Sequence, residues 1–345
     1  MFQVDNKTPF EAKLALLPNP EGVECAYGIV KASFGIGADG KLRALEKQLP
    51  IALSDSYWGD PIVTSLKQAG EVTLAKPSTD ILLCGHAYAP RAEATAMDVR
   101  LAVAEVVKTL RVFGDRAWQC GFFGWKPSAP KPFEKIPLRW EFAFGGTVIA
   151  PEDENNREYE PCNPVGRGLL PKCTKAEWEG RLLPNLEDPR TLIAGPKDRP
   201  APACFAPVCP YWEPRKAYAG TYNEVWRKQR APYLPKDFDS RFLQVAPRDL
   251  ITPKYFKGGE PVEVVGATPG APLRFKLPDP IVDVAFHFNG TARAEPVNLD
   301  TVCIEPDERR MSLVWRSCLV VDKKPHALSA MEVRLSDAGR RYPSG

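Results

Sequence analysis

Few groups suited to chemistry are available in this sequence: three histidines, four methionines and nine scattered cysteines among 345 residues. It carries no H-E-x-x-H metalloprotease motif, no G-x-S-x-G nucleophile elbow and no P-loop lysine, so the common sequence-readable catalytic sites are missing. The opening MFQVDNKTPF has no basic stretch followed by an apolar one, so no secretory leader is expected there. No apolar run approaches the ~18 residues of a membrane span. Charge of one sign is also in short supply: 46 basic against 43 acidic residues leave a net charge of +3, without the basic stripe of a nucleic-acid binder. These absences predict a cytosolic protein with reduced thiols, most of them small buried hydrophobes.

What the sequence has in abundance is proline. Its 36 prolines are about twice the usual share of roughly 5%. Proline breaks helix interiors and is expelled from central strands, which argues against a helical bundle or a TIM barrel. Hydrophobic residues at 44% still supply a sizeable core. The expected fold is mainly β: a β-sandwich-like core with short helices and a long Pro/Gly-rich irregular insertion. An α+β arrangement is the alternative, if residues 97–112 are helical.

Along the chain, residues 23–49 read as a β-hairpin with Asp39-Gly40 at its turn. Residues 80–90 read as one buried strand ended by proline. In 97–113, Val99, Leu101 and Val103, then Val106, Leu110 and Val112, alternate with period 2, which predicts two strands. Residues 147–210 lose periodicity and read as an insertion, interrupted by a short helix where Thr174 to Glu177 match a capping box. Thr221 and Glu224 repeat that signature and predict a helix from Thr221 through Trp226 and Arg230, stopped by Pro232. The last third alternates again. The whole is expected to be one continuous domain over 1–345: a β-rich half (1–146), the insertion (147–210), and a second half with a short helix and strands (211–345).

Several motifs hint at chemistry and carry little of it. Gly35-Ile-Gly37-Ala-Asp-Gly40 fits G-x-G-x-x-G, but a hairpin follows where a dinucleotide site needs a helix N-terminus. Cys162, Cys173, Cys204 and Cys209 lack the paired spacing of structural zinc sites. His86 and His287 lie in apolar stretches and read as core residues. Cys84 beside His86 offers a thiol with nothing nearby to lower its pKa. No catalytic, cofactor or metal residues are assigned. Asp115, Arg116 and Trp118 read as a turn clasp, with Asp115 accepting backbone N–H groups, Arg116 donating to carbonyls and Trp118 anchoring the turn.

The stretch RAPYLPKDFDSRFLQVAP, 230–247, poses the sharper choice. Asp237 and Asp239 point to opposite faces of an extended segment, a poor arrangement for a paired acid and base. An Asp239–Arg241 pairing, together with Asp237, would instead hold a proline-bent strap onto Phe238 and Phe242 and satisfy polar groups that lack ladder bonds. Loss of that clasp is expected to cost several kcal/mol, the scale of a broken buried pair.

A set of separated motifs carries a further resemblance. They include Asn6-x-Thr8-Pro9-Phe10, Lys31-Ala-Ser33-Phe34, Lys76-Pro77-x-Thr79-Asp80, Gly85-x-Ala87-x-Ala89-Pro90 and Gly114-Asp115-Arg116-x-Trp118. Phe142-Ala-Phe-Gly-Gly146, Asn163-Pro164-x-Gly166-Arg167-Gly168, Leu183-Pro184-Asn185, Ala219-Gly220-Thr221-Tyr222 and Leu234-Pro235-x-Asp237-Phe238-Asp239-x-Arg241-Phe242 follow in order. Together they span almost the whole chain. The sequence resembles a bacterial family long labelled a domain of unknown function and later associated with type VI secretion.

That resemblance implies a non-enzymatic adaptor or chaperone. It would bind a toxic effector in the cytosol and help load it onto the VgrG spike or its PAAR tip. It supplies no catalytic residues. Trp212, Arg215, Tyr218 and Trp226 are the candidate protein-binding anchors, since aromatic and arginine side chains dominate interface energetics. Two other classes compete: a hydrolase or transferase built around Asp80, His86 or Asp237, and an immunity-type partner that neutralises a toxin.

Overall fold

The computed structural model describes residues 3–122, 124–150, 153–170 and 178–339. Its centre is a six-stranded mixed sheet. Glu11–Pro18, Glu24–Ile36, Arg310–Val320 and Asn298–Glu305 run antiparallel in that order, Asp80–Leu83 adds in parallel at the far edge, and Leu42–Ala44 pairs with the end of Glu24–Ile36. A four-stranded sheet joins Gln3–Asn6, Leu328–Leu335, Val282–Phe288 and Thr291–Glu295. A five-stranded sheet joins Leu186–Glu187, Val106–Phe113, Ala96–Val103, Pro261–Val265 and Leu273–Lys276. The fold is mainly β, and each of these sheets is an open path.

Period-2 alternation divides the central sheet into two unlike faces. Ala26, Val30, Ala32 and Phe34 share one face with Leu313, Trp315, Val302, Ile304, Ile81 and Leu83, and all lie in the main hydrophobic core. The four-stranded sheet packs there. A Cβ at Gly28 would fall 2.7 Å from Met331 Sδ and 3.2 Å from Val284 Cγ1, so only glycine allows this close approach of the two sheets. The opposite face presents Lys31, Ser33, Arg310, Ser312, Arg316, Thr301 and Asp80, and segment 49–76 folds across it.

Residues 97–113 are two strands, Ala96–Val103 and Val106–Phe113, which excludes the α+β alternative there. Gly40 (φ +77°) makes the hairpin turn inside the G-x-G-x-x-G stretch, where a Cβ would fall 2.3 Å from the Arg274 carbonyl oxygen. Residues 80–90 are two strands, Asp80–Leu83 and His86–Tyr88, not one. The chain leaves the first sheet at Cys84-Gly85, where Gly85 packs against Pro306 and Asp307, and pairs anew with Lys135–Pro137.

The helix spans Glu224–Gln229 and starts two residues later than its capping pattern suggests. Asn223 is the N-cap, its side chain accepting from the Trp226 N–H at 2.9 Å. Thr221 is engaged elsewhere, with its N–H and hydroxyl on Asp237. Within 147–210 the described strands are the hairpin Thr147–Ala150 with Asp153–Tyr159, then the two-residue strands Arg167–Gly168 and Leu186–Glu187. The segment nonetheless places Leu186, Cys204, Phe205 and Cys209 in the core. The capping box at Thr174 lies outside the described residues.

Candidate functional site

The polar face of the central sheet and the segment crossing it enclose a cleft of about 540 Å³. Its floor is a chain of ion pairs. Lys31 Nζ donates to both oxygens of Glu71, at 2.7 and 3.0 Å, and to the Pro50 carbonyl. Arg316 Nε donates to Asp300 at 2.6 Å, and its other nitrogens donate to the Thr73 and Glu71 carbonyls. Asp300 also accepts from Thr301, which accepts in turn from Lys76. Lys76 donates to Asp80 Oδ2 at 2.7 Å, the same oxygen that accepts the Val245 N–H. Burial raises the Asp80 carboxyl above its ordinary value, against the pull of Lys76 and Val245. Asp80 Oδ1 has no hydrogen-bond partner among the described residues. Buried ions are tolerated only when paired and hydrogen-bonded, and these pairs tie the crossing segment to the sheet.

One wall carries a histidine. His86 Nδ1 lies 2.7 Å from Asp307 Oδ2, and Asp307 Oδ1 accepts from the Tyr88 hydroxyl at 3.1 Å. The His86 side chain is 24% exposed, and His287 on the four-stranded sheet is more exposed still. Neither is the core residue expected: His86 lies on a short strand of a two-stranded pair at the cleft wall, and His287 points to the outer face of an interior strand, alternating with buried Phe286 and Phe288. Cys84 and Cys303 also line the cleft. Their mutual hydrogen bond, then burial, push the Cys84 thiol well above its ordinary range, the reverse of what a nucleophile needs. Asp80, fully buried in its pair with Lys76, makes no hydrogen bond with His86.

At the mouth, Arg139 lies over the ring of Trp58, 3.3 Å from its centroid, and Lys67 approaches the same ring at 4.9 Å. Burial lowers the Arg139 pKa, opposed by the charge of Glu141. Trp58 opens a tight loop in which its N–H donates to the Ser65 carbonyl and the Thr64 N–H to that of Asp60. The loop holds Ile62 at 82% and Val63 at 64% exposure. Tyr211, also exposed, donates its hydroxyl to the Pro61 carbonyl and stacks on Tyr57. A shallower depression of about 710 Å³ runs between the Asp39–Gly40 turn and Leu273–Lys276. Its Glu263 pairs at the surface with Arg100 and Arg274.

The four candidate anchors are not grouped as one open surface. Trp212 is 1% exposed and packs edge-on against Trp140 in the core. Arg215 donates to the Phe242 and Val208 carbonyls, and burial lowers its pKa. Tyr218 carries Arg241 over its ring at 4.2 Å. Trp226 packs against Tyr222 and donates to the Tyr233 carbonyl.

The clasp residues sit at chain crossings. Arg116 donates to the Pro184 carbonyl at 2.8 Å, pairs with buried Glu187 and stacks on Phe113. Asp115 accepts from Asn185 Nδ2 at 3.1 Å, a side-chain partner where backbone ones were expected. Trp118 is 2% exposed. Asp237 receives the Thr221 N–H and hydroxyl at 3.0 and 2.7 Å. Asp239 pairs with Arg241 and accepts its N–H, capping the 3₁₀ turn Ser240–Leu243. The segment is therefore turned, not extended, at this point. Both side chains are substantially exposed, so the buried-pair penalty does not apply.

Cys204 and Cys209 are buried free thiols. Cys173 lies outside the described residues. Among the described residues no group of three or more His, Cys, Asp or Glu could hold a metal ion, and no helix is long and apolar enough to cross a membrane.

Trp58, Lys67 and Arg139 were not legible as a site. They come from separate segments and meet only through the fold. A usable signal for the cleft floor was the set Lys31, Ser33, Arg310, Ser312 and Arg316, polar residues that share one parity within largely apolar strands, with Val314 the one apolar position between them.

Residues 21–316 match the model of a family described as an uncharacterized protein conserved in bacteria (DUF2169). No curated protein and no solved structure matches the chain.

Proposed function

The chain belongs to the DUF2169 family, and we propose that this member is a cytosolic adaptor. It would bind a type VI secretion effector and guide it to the VgrG spike or PAAR tip. The observation that supports this most is the cleft mouth. An arginine-stacked tryptophan and a rigid loop with exposed Ile62 and Val63 stand beside a floor whose ions are already paired. Exposed aromatic and apolar side chains on a fixed support are suited to protein recognition. The paired floor would serve as scaffold, keeping the crossing segment in place. In this role the protein covers apolar effector surface before delivery and stays behind afterwards.

Co-purification tests it. The tagged protein is co-expressed with a genetically neighbouring effector and the spike protein. A stable effector complex, with spike loading that depends on the adaptor, is expected; no binding to either protein contradicts the reading. Protection from the toxin without spike contact would replace it with an immunity role.

The His86–Asp307 pair favours a second reading, a hydrolase or transferase with His86 as general base. Turnover on a substrate panel that His86→Ala abolishes would establish it.

A further inference from the structure

We propose that Arg139 and Lys67, both held over Trp58, form a carboxylate subsite for an acidic, apolar segment of the partner protein. This rests on the cleft mouth being a protein-binding face.

The guanidinium of Arg139 lines the cleft and makes no hydrogen bond or ion pair among the described residues. Its charged neighbour Glu141 is already engaged: one oxygen accepts the Ser65 N–H at 2.7 Å, the other the Ser65 hydroxyl at 2.8 Å. Lys67 likewise has Trp58 as its partner and no carboxylate among the described residues. Of the acids lining the cleft, Glu71, Asp300, Glu305 and Asp307 are bound to Lys31, Arg316, Arg310 and His86. Arg139 and Lys67 are thus the two lining cations without a carboxylate partner among the described residues, since Lys31, Lys76, Arg310 and Arg316 are each paired. A guanidinium has five N–H donors and pairs with carboxylates in a bidentate fork. Stacking on an aromatic face fixes its plane in advance, which lowers the ordering cost of that pairing. Ile62 and Val63 extend the site on a loop braced by Asp60, whose carboxylate accepts the Ile62 N–H at 2.9 Å. An acidic residue flanked by apolar ones matches both halves.

Two fluorescein-labelled synthetic peptides test this, sharing leucine and tryptophan and differing only in Asp/Glu against Asn/Gln. By anisotropy, wild-type protein should bind the acidic peptide about tenfold tighter, the scale of one charge-assisted hydrogen bond. Arg139→Gln and Lys67→Gln should each shrink the difference, and Arg139→Lys should keep part of it. Lys67 is exposed, so its variant carries the test if Arg139→Gln fails to fold. No discrimination by wild type, including no binding of either peptide, overturns the proposal, as does full discrimination in the Lys67→Gln, Arg139→Lys double variant. Effector co-purification by wild type is scored separately: its loss sinks the adaptor reading, and its survival without peptide discrimination sinks only the subsite.

Discussion

Lys76 and Asp80 form an ion pair 2.7 Å long at the edge of the central sheet, with side chains 6% and 0% exposed. The ammonium also reaches Thr301 on the neighbouring strand, and the carboxylate takes the Val245 N–H. The pair therefore joins three segments distant in sequence. Removing one partner of a buried pair strands the other charge, at a cost of about 3–5 kcal/mol, whereas replacing both by apolar residues is often near neutral. Lys76→Met should lose that much stability in urea unfolding, and Lys76→Met with Asp80→Leu should recover part of it, because Asp80→Leu also takes the acceptor from the buried Val245 N–H. A Lys76→Met variant as stable as wild type would contradict this placement of the charge.

Asp239 gives the opposite expectation. Its partner Arg241 is 59% exposed, and solvated pairs contribute from nothing to about 1 kcal/mol. Its capping of Ser240–Leu243 adds a contribution on the order of 1 kcal/mol. Asp239→Ala should thus lower Tm by only a few degrees in thermal melts, not unfold the protein.

Acid stability should depend on Glu332. Hydrogen bonds from Lys7 and Arg334 hold its carboxyl down to about 2, from an ordinary value of 4.5. Between those values the unfolded chain binds a proton that the folded chain refuses, so stability falls as pH falls. The contribution is complete above pH 4.5 and gone below about pH 2. Glu332→Gln should flatten the decline of Tm across this window. An unchanged pH profile would show that the Lys7–Glu332 link between the N-terminal and C-terminal strands adds nothing.

Much of the fold was legible because alternation is local. Val99, Leu101 and Val103 announce a strand whatever packs on them. Boundaries were legible only where local signals had no tertiary competitor. Thr221 looked like an N-cap until Asp237 claimed it, and Asn223 took the role. Cys84-Gly85 looked like mid-strand until Pro306 and Asp307 met Gly85. The Asp239–Arg241 pairing was readable from spacing, but its exposure was not, since burial depends on what covers a segment. The cleft was least legible. Lys31 and Arg316 share a face through strand register, Asp300 joins them at the register shift between Leu299 and Thr301, and Trp58 meets Arg139 across eighty residues of chain.

The proposed docking of partner proteins at the Trp58 mouth is open to test by affinity measured on a side-chain truncation. Trp58 is 39% exposed, so Trp58→Ala should change Tm little. Effector affinity, measured by titration calorimetry on wild type and Trp58→Ala, should fall about thirtyfold, the roughly 2 kcal/mol of an interface hot spot. Equal affinity of the two proteins, with the variant folded, would rule out docking at Trp58 and move the binding face elsewhere on the molecule.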